Sequence, residues 1–196
     1  MVRTTFEDLR SILPKRPLDL GEAIRMAELQ AERLLSAHGV SNPPVPELVL
    51  STFPRVQVVR ATLAGAAVTS QWARGRWIVI LNRTDAPTRQ RFSLAHEFKH
   101  ILDQPSSEVL YPSVLGGLAR SISEQAADHF AASFLMPSRW LLDALTTGTD
   151  SCTRLAERFA VSAQAIQVRL SVLGFSPGAA PPRVLPRNSA KPHYRR

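Results

Sequence analysis

The pentapeptide His96-Glu97-Phe98-Lys99-His100 carries the residues best suited to chemistry in this chain. On a helix, positions i and i+4 lie about 40° apart around the axis, so both imidazoles emerge from one face, one turn apart, and can share a single zinc ion. Glu97 projects to the side, where its carboxylate can reach a water on that metal. A catalytic zinc takes three protein ligands, so a third must come from outside the pentapeptide. The metzincin spacing is absent, because Asp103 and Ser106 stand where that class places Gly and a final His or Asp. Asp103 shares the face of the histidines, but three ligands along one straight helix span about 10 Å and do not converge on one ion. Glu108 lies in a Pro-flanked loop with no reason to point inward. Glu124 is better placed, on the next helical segment, with Asp128 one turn later on the same face. Glu124 can supply an oxygen ligand while Asp128 accepts the outer N–H of a ligand histidine and fixes its tautomer. The neighbouring Ala126, Ala127, Phe130, Ala131, Phe134 and Leu135 read as packed, which argues against a merely solvated acidic face.

These residues need elements to hold them. Pro87-Thr88 opens a helical pattern over 88–102, and a second runs over 121–136 until Pro137 ends it. Upstream, the pattern of Ala23, Ile24, Ala27, Leu34 and Leu35 predicts an amphipathic helix over 21–38, and a short helix can start at Pro46 to Leu50. The β-branched runs at 56–59, 66–72 and 76–81 predict a small antiparallel sheet of about three strands, the last at an edge or half buried. Ala73-Arg74-Gly75 supplies the turn between the last two strands. Downstream, Ser138 can cap a further short helix, and 152–173 has the pattern of a helix-turn-helix pair with Ser162 as cap; its second helix offers only Gln164, Gln167 and Arg169 as polar readers and could equally pack against the peptidase core. The expected fold is therefore α+β: one domain over 1–175 with a mostly helical C-terminal half. Residues 176–196 form a basic, Pro-rich tail, expected to be flexible.

The two helical runs resemble a known family. Arg89 to Leu102, followed by Glu124 to Pro137 with its Phe130-Ala131-Ala132 and Leu135-Met136-Pro137 elements, is similar to the ImmA/IrrE zinc metallopeptidases. Ile80-Leu81-Asn82, Leu155-Ala156-x-x-Phe159-x-Val161-Ser162 and Arg169-Leu170 agree with it, and the likeness covers roughly residues 20–175. The resemblance implies a gluzincin-like domain in which His96, His100 and Glu124 hold one Zn2+ and Glu97 is the catalytic base. It also implies a narrow-specificity regulatory endopeptidase that cleaves a helix-turn-helix repressor of the XRE type, or an antitoxin. Two positions depart from the pattern. Lys99 stands where the family usually has Gly, and Asp128 where it often has Asn. Lys99 is expected to tuck its stem away and keep its ammonium in solvent.

The chemistry calls for a donor to the developing oxyanion, for which Tyr111 and His129 are the candidates. Strand addition along Ile78 to Leu81 would hold an extended substrate. A DNA-binding or toxin–antitoxin partner protein with a non-catalytic zinc site is the competing expectation.

Composition bounds the rest. The chain has 196 residues, 44% of them apolar, with no run long enough for a membrane-spanning helix, so a soluble protein without membrane partners is expected. Glu7 and Asp8 stand where a secretory signal would carry its apolar stretch, and the lone Cys152 suits a reducing cytoplasm. The net charge of +8 is unevenly placed. Arg183, Arg187, Lys191, Arg195 and Arg196 carry +5 of it without any acid, leaving 19 basic against 16 acidic residues before Gly174. The charge is therefore weak evidence for a nucleic-acid function of the fold and better evidence for a Pro-rich appendage that could touch an acidic partner, DNA nonspecifically, or nothing.

Overall fold

A computed structural model describes residues 4–63, 69–148 and 151–175. The tail at 176–196 and the expected strand residues 66–68 lie outside these. Helices α1 (Phe6–Arg10), α2 (Leu20–Ala37) and α3 (Leu48–Ser51) precede strands β1 (Val56–Ala61), β2 (Thr69–Ala73) and β3 (Arg76–Asn82). Then come α4 (Pro87–Asp103), α5 (Ser107–Leu110), α6 (Gly117–Leu135), α7 (Ser138–Thr146), α8 (Cys152–Phe159) and α9 (Ala163–Val172). The fold is α+β as expected. Among the described residues no helix is long and apolar enough to cross a membrane.

The sheet corrects the expected topology. Its order is β1-β3-β2, with β1 parallel and β2 antiparallel to β3, so it is mixed rather than antiparallel. The hairpin between β2 and β3 was legible: Arg74 and Gly75 take φ of +52° and +76°, the left-handed pair that a tight two-residue hairpin turn requires. The parallel partner was not, because no local pattern says on which side of β3 the first strand will lie. β3 is consequently the central strand, with Val79 and Leu81 fully buried; among the described residues β2, which lies beside α4, pairs with β3 alone.

Helix α6 packs against both α2 and α4, and α4 in turn packs against β3 and β2. That double contact explains why α6 buries residues on more than one face, from Ile122 through Ala126, Ala127, Phe130 and Phe134. Its N-terminus lies four residues earlier than the apolar pattern suggests. Gly116, at φ +55°, turns the chain and Gly117 already belongs to the helix, whereas two adjacent glycines read as loop. At the core, Phe98 of α4 lies 5.0 Å from Phe53, 5.6 Å from Phe6 and 6.0 Å from Phe130 between ring centroids. Phe98 thus points inward from the middle of the HExxH segment, which turns the flanking histidines the other way and sets the register between α4 and α6.

Both ends of α4 are fixed. Pro87 occupies its first turn, where a missing N–H costs nothing. Just before it, Asn82 Oδ1 accepts from the N–H groups of Leu63 and Thr84 and from the Thr84 hydroxyl, pinning the exit from β3. At the far end, the Arg10 guanidinium donates to the carbonyls of Leu102 at 2.7 Å and Ile101 at 3.2 Å, groups that a helix C-terminus leaves unpaired. Arg10 is delivered by α1, whose Thr5–Asp8 capping box went unread in the sequence.

Candidate metal centre

His96 and His100 leave α4 on the side facing α6, and their Nε2 atoms come within 3.0 Å of each other. Glu124 of α6 completes the group: its Oε2 lies 3.4 Å from His96 Nε2 and its Oε1 3.7 Å from His100 Nε2. The three ligand atoms all fall within 4.8 Å of one another. Tetrahedral zinc with bonds of about 2.05 Å places neighbouring ligand atoms about 3.3 Å apart. The observed separations straddle that value, and two imidazole nitrogens with a carboxylate oxygen are a donor set that zinc accepts. The residues therefore fit the metal.

The surroundings orient the ligands. His96 Nδ1 donates to Asp128 Oδ1 at 2.9 Å, which leaves its Nε2 lone pair turned toward His100 and Glu124. Burial lowers the His96 pKa, but the hydrogen bond and charge of Asp128, with Glu97 and Glu124, outweigh it and raise the pKa overall. His100 goes the other way: burial and the neighbouring His96 charge lower its pKa, keeping it available as a neutral ligand. Glu124 and Asp128 are both exposed on the solvent side, so the centre opens outward and leaves room for a substrate.

Glu97 has a partner that the sequence did not reveal. Ser70, on β2, donates its hydroxyl to Glu97 Oε2 at 2.5 Å. No spacing rule links a serine on a short strand to a glutamate 27 residues later; the only signal was strand alternation that puts Ser70 on the face turned toward α4. One carboxylate oxygen of Glu97 is thereby anchored to the edge strand, and the other has no hydrogen-bond partner among the described residues.

Residues 55–171 match the family model of the IrrE N-terminal-like domain, Peptidase M78. The chain belongs to this peptidase family. The fold agrees: a Mycobacterium tuberculosis transcriptional regulator superposes with a TM-score of 0.60 at 19% identity, over 85% of this chain and 51% of that one. This chain thus spans about half the length of that protein. None of the curated proteins matches. The family gives a metallopeptidase-type domain, and the His96, His100 and Glu124 cluster within it is compatible with a metal site.

Other expected site residues of this IrrE-like domain are placed differently. Tyr111 is buried, with its hydroxyl donating to Asp103 Oδ2 at 2.8 Å; burial first, then the Asp103 charge, push its pKa up and keep the proton on. A hydroxyl committed in this way does not serve an oxyanion. His129 leaves α6 toward α2, where its Nε2 lies 3.9 Å from Glu28, and burial with the nearby Arg169 charge lowers its pKa. Asp103 is held by Lys99 and Tyr111, away from any ligand role, and Glu108 accepts from the Ser113 N–H and hydroxyl.

One further expectation is corrected. The Lys99 ammonium is not in solvent: the side chain is 1% exposed and donates to Asp103 Oδ2 at 2.5 Å. Asp103, one turn along α4 and itself buried, supplies the counter-charge that solvent would otherwise provide. Arg169, at 2% exposure, donates to the Met136 carbonyl and to Glu28, fastening α9 to the C-terminal end of α6 and to the middle of α2, the packing role that its sequence pattern had left open. Helices α8 and α9 bury Leu155, Phe159, Ile166 and Leu170 in the same core as the peptidase elements.

Proposed function

We propose that the protein is a zinc-dependent endopeptidase of narrow specificity, acting in the cytoplasm on a helix-turn-helix repressor of the XRE type or on an antitoxin. The observation that carries the peptidase reading is the tetrahedral spacing of His96 Nε2, His100 Nε2 and Glu124 beside a Glu97 carboxylate that is anchored through one oxygen only. Support for the class of substrate comes from the family resemblance, and the fold neighbour's name, transcriptional regulator, is consistent with it.

Zinc held by these three residues would supply a Lewis acid that acidifies a water and polarises the scissile carbonyl. The chain's own residues do the rest. Glu97 accepts the proton of the attacking water on its free oxygen and hands it to the leaving amine nitrogen. Ser70 keeps the other oxygen fixed, so that the carboxylate does not rotate away between the two transfers. Asp128 holds the His96 ring and its tautomer. The outer edge of β2, unpaired among the described residues, offers main-chain donors and acceptors to an extended peptide beside Glu97, a role that falls to β2 because both edges of β3 are already paired.

The test is co-expression with a helix-turn-helix protein encoded beside this chain, comparing wild type with Glu97→Gln. Processing by the wild type and none by the variant is the expected result. A variant that still processes the partner would sink the mechanism.

A further inference from the structure

The junction of β2 with α4 has a second feature at the end away from the candidate metal ligands. Ser70 and Trp72 are two residues apart on β2, so they project to the same face about 6.6 Å apart along the strand. Ser70 touches Glu97. Trp72 lines a cavity of about 380 Å3 together with Trp77, Phe6, Arg10, Arg55 and the residues just beyond α4, Gln104 and Pro105. Gln104, the cap just past the end of α4, stands seven residues beyond Glu97, about 10 Å along the helix axis. Strand and helix therefore run side by side in the same direction, from the Ser70–Glu97 contact to this cavity.

The lining decides what enters. Trp72 and Trp77 are cross-strand partners with ring centroids 5.5 Å apart, edge to face, and Trp72 is 52% exposed, so an aromatic surface stands open to solvent. Arg10 donates its Nε–H and one Nη–H to the Leu102 and Ile101 carbonyls and lies 4.9 Å from the Phe6 ring centroid, which ties its charge into the wall of the cavity. Only Arg55, exposed at the rim, has no side-chain partner among the described residues. Three aromatic rings with two guanidinium groups complement a π-face far better than they complement a small anion.

We infer that this cavity is a specificity pocket of the peptide cleft and takes an aromatic side chain. The inference rests on the endopeptidase reading. Residues directly opposite each other in paired strands point to the same face. A peptide added to β2 thus places the residue facing Trp72 in the pocket, two residues from the one that stands over Ser70 and Glu97.

The experiment selects random dodecapeptides on the immobilised full-length, zinc-loaded Glu97→Gln protein and sequences those retained. Enrichment of Phe, Tyr or Trp at one position by at least about fivefold is expected, falling to background on the Trp72→Ala surface and persisting on Trp72→Phe. Absence of any enriched position, enrichment of acidic residues instead, or aromatic enrichment that survives Trp72→Ala would each overturn the pocket. The enriched peptide is then incubated with the wild-type protein. Cleavage two residues from the aromatic side chain supports the register, and cleavage elsewhere overturns it. A peptide that is retained through its aromatic residue but left intact counts against the peptidase reading while the pocket stands.

Discussion

Asp103→Asn removes the carboxylate that neutralises the Lys99 ammonium, and the structure leaves that ammonium no easy escape. Lys99 is 1% exposed, and it is enclosed by the core that holds Phe98, Ile101 and Leu102. Breaking a buried ion pair from one side strands the other charge and costs about 3–5 kcal/mol. A domain of this size loses about 2–4 °C of Tm per kcal/mol, so the variant should unfold about 6–20 °C below wild type in a calorimetric scan at neutral pH. Removing both charges is different. A Lys99→Met, Asp103→Leu double variant replaces the pair by apolar groups of similar volume and should return to within about 1–2 kcal/mol of wild type. Urea titrations of wild type, Lys99→Met, Asp103→Leu and the double variant close a double-mutant cycle, with a coupling energy of at least about 2 kcal/mol expected. Loss of less than about 1 kcal/mol in Asp103→Asn, or additive single variants, would mean that the ammonium reaches water and that the buried-pair reasoning is wrong.

Three shorter expectations follow from other contacts. Ser70→Ala should lower kcat about tenfold, about 1.4 kcal/mol in the barrier, with KM, bound metal and Tm near wild type, and Ser70→Thr should recover most of the loss; an unchanged kcat would remove Ser70 from the mechanism. For His129, burial lowers the folded pKa below the unfolded value of about 6.5, so between the two the unfolded chain binds the extra proton and stability falls as the pH drops below about 6.5. Chemical denaturation of the metal-free protein at pH 8 and pH 5.5 should therefore show a smaller acid loss for His129→Gln than for wild type; equal losses would contradict the assignment. Arg169→Ala should cost about 2–4 kcal/mol in urea unfolding, because it strands the Met136 carbonyl and releases α9, and a neutral substitution would argue for a solvent-facing arginine.

What could be read beforehand followed the range of each signal. The two histidines and Glu97 were visible because helical spacing alone brings i and i+4 together, and Glu124 because the next amphipathic segment carries acids one turn apart. The same periodicity located α2, α4, α6 and α9 to within a few residues. Short elements escaped: α1 is five residues long and α5 four, too brief for a hydrophobic repeat to show. Contacts between distant segments escaped as well. Ser70 meets Glu97, and β1 lies parallel to β3, only because tertiary packing puts them there. Lys99 was misplaced for a related reason. A lysine beside a metal ligand reads as solvated until the carboxylate at i+4 and the phenol of Tyr111 are found on the same buried side.

The central claim is that His96, His100 and Glu124 form one metal site, and elemental analysis of the purified protein by mass spectrometry tests it most directly. Wild type and Glu97→Gln should carry close to one zinc per chain, and folded His96→Ala, His100→Ala or Glu124→Ala little. Wild-type protein without zinc after loading and dialysis, or full zinc retained by the ligand variants, would contradict it.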